Sequence, residues 1–77
     1  MRVVKHIPLS SVVMDRYPMN PTVLPLLEHL ASGGTVPPIH VVLNKNGTYR
    51  ICDGRHRVLA HKLLGRKTIM ATFHKNA

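Results

Sequence analysis

The sequence predicts a small α/β (α+β) domain in the order β-α-β-β-α-β, a compact fold with a small mixed sheet. Three observations lead there. Apolar residues recur at helical spacing near 21–32 and 54–64, and as alternating or short continuous runs in four other segments. Asn44-Lys45-Asn46-Gly47 separates two of those runs, and Asn-Gly accepts the positive φ of a hairpin turn. The second of these runs, 48–52, passes at Asp53-Gly54 directly into a helical pattern.

Taken in order, residues 2–7 read as the first strand and residues 14–20 as loop. Asn20 is the expected cap of the first helix, with Pro21 at its first position. That helix places Val23, Leu26, Leu27 and Leu30 on one face, tolerates Pro25 in its opening turns and stops at Gly33-Gly34. Val36-Pro37-Pro38 leads into the strand 39–43, the hairpin returns it as 48–52, and the second helix covers about 54–64, ending at Gly65. The last strand runs from Lys67 to Phe73, with Ile69, Ala71 and Phe73 turned inward. Cys52, on the strand side of the turn, is expected to be a buried, inert small residue.

Seventy-seven residues make one domain, 1–77, with a modest core to which a ligand, a partner or a second copy in a homodimer would add. A hydrophobic content of 44% argues against disorder. Eleven Lys and Arg face three Asp and Glu, a net charge of +8, which favours polyanions, DNA or RNA first. A single cysteine excludes an internal disulfide, and the chain carries neither a signal peptide nor a long apolar run, so a cytoplasmic protein without a membrane span is expected. The short length fits a mobile-element or accessory protein.

The richest chemistry lies at the second helix start. A helix N-terminus presents backbone N–H groups without intrahelical partners, and its dipole favours anions. Here the first turn also carries Arg55, His56 and Arg57 behind Gly54, donors suited to phosphate oxygens. So many donors fit a di- or triphosphate better than a small monoacid. Arg57 reads alternatively as a solvated helix residue. Asp53 reads as the helix N-cap, and it is also placed to coordinate a phosphate-bound Mg²⁺ or act on an attacking water.

These residues resemble the ParB/sulfiredoxin superfamily over about residues 3–73, as a small stand-alone ParB-like domain. Val36-Pro37-Pro38-Ile39 is similar to the Pro-Pro-Ile lead-in of those proteins. Gly54-Arg55-His56-Arg57 with Ala60 resembles their Gly-x-x-Arg-x-x-Ala phosphate motif, and Leu64-Gly65 with Thr68-Ile69 their helix end and final strand. The resemblance implies a pocket for a nucleoside triphosphate, CTP as in ParB relatives or ATP as in sulfiredoxins. Gly54 and Arg55 would supply backbone N–H groups, and His56 and Arg57 side-chain contacts. From the first helix, Thr22, Pro25 and His29 occupy the matching positions, without the lysine that sulfiredoxin uses; His29 reads equally as a residue of a polar face.

Two further departures narrow the activity. Arg55 stands where sulfiredoxin has its reactive cysteine, so peroxiredoxin repair is not expected. The helix-turn-helix and dimerisation domains of a partition protein are not part of this sequence, so centromere reading does not carry over. The carboxylates Asp15, Glu28 and Asp53 are a thin supply for two-metal nuclease chemistry, which leaves a weak NTPase or nuclease as one rival reading. An interaction protein that binds an acidic partner beside a vestigial pocket is the other. No metal site is expected, because His56 and His61 do not share a helix face. Lys62, Arg66 and Lys67 at the end of the second helix form either a surface for a nucleic-acid backbone, beside the phosphate motif, or a solubilising face.

Overall fold

The computed structural model describes residues 2–14, 16 and 21–74. The expected cap Asn20 and the carboxylate Asp15 lie outside the described residues. Strand β1 (Arg2–Pro8) runs through a single 3-10 turn, Leu9–Ser11, into the two-residue strand β2 (Val12–Val13). Helix α1 (Val23–Ala31), the hairpin β3 (Ile39–Leu43) and β4 (Tyr49–Asp53), helix α2 (Arg55–Leu63) and strand β5 (Thr68–His74) follow. The sheet order is β1-β5-β3-β4-β2. β1 pairs antiparallel with β5, β3 parallel with β5 and antiparallel with β4, and β2 parallel with β4. A small mixed α/β domain is thus the observed class. The addition to the expected order is β2, too short to show any periodicity in the sequence.

Alternation sorts the strands. Ile7, Ile39, Val41, Tyr49, Ile51, Ile69, Ala71 and Phe73 are buried together, and Leu9 and Val12 close over them. The Tyr49 and Phe73 rings meet across β3 with centroids 5.4 Å apart. These two aromatics are therefore spent on the core and leave no stacking platform there for bases. α2 joins two clusters. Its Val58 enters the sheet core, while Leu59 and Ala60 pack against Val23 and Leu30 of α1. Leu26 and Leu27 lie partly buried against that second cluster, so the expected apolar face of α1 is the one used.

The hairpin turn forms as the sequence implies: Asn44 N–H donates to Thr48 O at 2.8 Å, and Gly47 adopts φ +87°. α1 begins later than expected. Thr22 is its N-cap, and Pro21 instead accepts a turn bond from Leu24 N–H at 3.0 Å. Pro25 is then the third helical residue, where its missing N–H costs no intrahelical bond.

Cys52 is exposed, not buried. The reason is parity and a bulge. Tyr49 and Ile51 point into the core, which turns residue 52 outward. In addition, His40 pairs with Asp53 while Val41 pairs with Ile51, so Cys52 is the extra residue of a bulge.

Candidate functional site

The turn from β4 into α2 is built on Gly54. It is the N-cap of α2 at φ +117°, ψ 24°, a conformation that side chains avoid. Asp53 ends β4 and makes no cap; the sequence expectation of an aspartate cap gives way to a glycine turn. The turn is tight because Gly54 lies directly on Ile39 of β3. The first helical bond is Val58 N–H to Gly54 O at 3.0 Å, so the amides ahead of it project from the helix start. Around them Cys52 to Arg57 line a cavity of about 310 Å³. Arg55 is exposed and His56 half-buried at this opening.

Arg57 lines this cavity and also has protein partners that the sequence does not announce. Its Nη1 donates to Pro37 O at 2.9 Å and to Pro38 O at 3.0 Å. Its Nη2 donates to the Asp53 carboxylate at 3.1 Å. The guanidinium therefore ties together the α1–β3 loop, the end of β4 and the first turn of α2. One turn on, His61 is only 7% exposed and its Nδ1 bonds to Arg57 O at 2.7 Å. Burial pushes the His61 imidazole below its ordinary titration range; the bond to Arg57 O opposes this and the Arg66 charge adds to it. The sequence reading does not find the proline carbonyls as acceptors, and it weighs His61 only as a metal ligand. A backbone acceptor has no signature, and a lone histidine in a helix reads as surface.

The structure brings together Asp53, Gly54, Arg55, His56 and Arg57. It does not bring the first-helix candidates to that lining. His29 Nε2 instead bonds to Thr35 O at 2.7 Å, its ring stacked on Gly34, and Thr22 stands at the start of α1. Lys62, Arg66 and Lys67 occupy the far end of α2, on the order of 12 Å or more along the helix from Gly54, not beside the phosphate motif. Arg66 Nη2 donates to Leu30 O at 3.0 Å, which ties that end of α2 to α1. Among the described residues no group of three or more His, Cys, Asp or Glu is placed to hold a metal ion.

This architecture and site define a domain of the ParB/sulfiredoxin fold. The chain matches the ParB N-terminal domain over residues 2–76, and it belongs to that family. Sulfiredoxin from Arabidopsis thaliana superposes with a TM-score of 0.74 at 30% identity, covering 96% of this chain and 86% of that one. The C-terminally truncated chromosome-partitioning protein ParB from Caulobacter crescentus, complexed with CTP-γ-S, gives a TM-score of 0.75 at 20% identity, covering 97% of this chain and 46% of that one. SbnI with a C-terminal truncation, from Staphylococcus aureus, gives 0.75 at 24% identity, covering 95% and 31%. The chain thus spans less than half of the ParB and SbnI structures, with which it shares the fold. No curated protein matches it in sequence. Among the described residues, no helix is long and apolar enough to cross a membrane.

Proposed function

We propose that this domain is a binding module that holds the phosphates of a nucleoside triphosphate at the start of α2 and associates with nucleic acid through its basic surface. The observation that carries the reading is the Gly54 turn, which aims the first amides of α2 into a cavity of about 310 Å³ edged by Arg55 and His56. The ParB structure complexed with CTP-γ-S supports nucleotide as the ligand class. Arg55, His56 and the helix-start amides are the proposed phosphate contacts. Arg57 holds the turn in shape, and Asp53 is engaged by Arg57, which favours binding over hydrolysis or cleavage. Mg²⁺ would enter bound to the triphosphate, with Asp53, a carboxylate of the cavity lining, to meet it. Thr22 and His29 would take part only through a closure of α1 over the ligand. The net charge of +8 supplies sequence-independent attraction to DNA or RNA, with Lys62, Arg66 and Lys67 among the contributors. A cytoplasmic site of action belongs to the same reading.

Calorimetric titration with CTP and with ATP, each with and without Mg²⁺, tests the nucleotide half. The expected result is saturable binding that Arg55→Ala and His56→Ala each weaken by about tenfold or more, the size of one charge-assisted hydrogen bond. Equal affinity in all three proteins would remove the phosphate site from the helix start. For the nucleic-acid half, affinity for duplex and single-stranded DNA should fall steeply between low and physiological salt.

A further inference from the structure

A hollow larger than the one at the phosphate motif lies elsewhere in the fold. A cleft of about 680 Å³ opens at the other end of the helices, between the C-terminal turns of α1 and α2, the α1–β3 loop and the start of β5. Its walls are apolar, with Val36, Pro37, Pro38 and Met70 prominent among them. Its charged lining is Arg66 and Lys67, joined by the imidazoles of His6 and His61, and among the described residues no carboxylate lines it. We propose that this cleft is a second ligand site, and that it takes a small hydrophobic monoanion, a carboxylate carried on an aryl or alkyl body.

Volume, walls and charge each select for that class. The cleft lies within the range of about 300–1,000 Å³ typical of small-molecule sites. Apolar walls reward a hydrophobic body, and a cationic rim rewards a single negative head group. A cationic amphiphile is repelled by the full charges of Arg66 and Lys67 at this rim. A polyphosphate meets the carbonyl ends of two helices, whose dipoles disfavour concentrated negative charge. One negative charge, held by the Arg66–Lys67 pair, is the compromise that satisfies both.

The rim is also built rather than loose. Arg66 commits one of its five donors to Leu30 O at 3.0 Å, which fixes the guanidinium across the helix ends. Lys67 is anchored through its carbonyl, which accepts Leu9 N–H at 2.9 Å. The wall formed by Pro37 and Pro38 is held by the two bonds from Arg57 Nη1. Fixed walls lower the ordering cost of binding. The proposal stands on this cleft alone and does not depend on nucleotide binding at α2.

The test is an amide chemical-shift titration of the full chain with three probes of one body: 4-phenylbutyrate, 4-phenylbutanol and 4-phenylbutylamine. The expected result is saturable shifts at residues 34–38 and 66–70 with the carboxylate. The alcohol should bind at least fivefold more weakly and the amine should leave the same amides unmoved. Lys67→Glu should weaken the carboxylate at least fivefold. Thr68→Trp, at an exposed position of the lining, should block it while the rest of the spectrum stays native. Shifts confined to residues 52–57 would overturn the proposal, as would equal affinity for carboxylate and alcohol or the absence of saturation with any probe. A parallel CTP titration reads the helix-start site separately, so the failure of one does not obscure the other.

Discussion

Gly54 is pressed against Ile39: a Cβ at position 54 would stand 2.5 Å from the Ile39 Cγ2 and 3.3 Å from its Cα. The contact seats the start of α2 on the middle of the sheet, because Ile39 is fully buried. Gly54→Ala meets both this contact and a φ of +117°. Strain of each kind costs about 1–3 kcal/mol, so a loss of roughly 2–6 kcal/mol is expected in urea unfolding. Ile39→Ala in the same background should return part of the steric share and none of the backbone share. A Gly54→Ala protein as stable as the wild type would show that the turn does not need glycine.

Arg57 joins three segments, and its removal should be felt as stability. Arg57→Ala loses the bonds to Pro37 O, Pro38 O and Asp53. The expected cost is about 1.5–3 kcal/mol, the usual size for hydrogen bonds from a charged donor. Arg57→Lys keeps the charge and loses the fork, so it should recover less than half of that. Asp53→Asn should change stability by about 0.5 kcal/mol or less, because the Asp53 side chain is 76% exposed and solvent screens the pair. If Asp53→Asn costs as much as Arg57→Ala, the ion pair rather than the proline carbonyls holds the loop.

Cys52 faces solvent on a bulge. It should react with Ellman's reagent in the native state without a prior unfolding step. Cys52→Ser should alter stability by no more than about 0.5 kcal/mol, as for other surface substitutions. A reaction rate that tracks global unfolding would return the residue to the interior.

The buried imidazole of His61 makes stability depend on pH. Its folded pKa lies below the unfolded value near 6.5, so the unfolded chain binds the proton first as pH falls. The stabilisation is fully present above about pH 7 and is lost progressively as pH drops through 6.5 toward the folded value. Urea midpoints at pH 7.5, 6 and 5 should therefore decline more steeply in the wild type than in His61→Gln. Identical slopes in the two proteins would mean that another group sets the dependence.

Much of this protein was legible along the chain. Asn46-Gly47 forced a hairpin, the spacing of Val23, Leu26, Leu27 and Leu30 drew a helix, and Gly54 marked the passage from strand to helix, because each is a local conformational preference. The family resemblance rested on the same local residues, and the match to the ParB N-terminal domain agrees with it. Tertiary structure decided what depends on partners distant in sequence. The hydrogen bonds of Arg57 were settled only when the fold brought Pro37 and Pro38, about twenty residues earlier, within reach of its guanidinium. Cys52 looked buried until strand register made it the odd residue of a bulge. β2 exists because β4 offers it an edge, and two residues cannot announce that alone. Local propensity is written in neighbouring residues; hydrogen-bond partners, register and the shape of a cleft are fixed only when segments far apart in the chain are packed together.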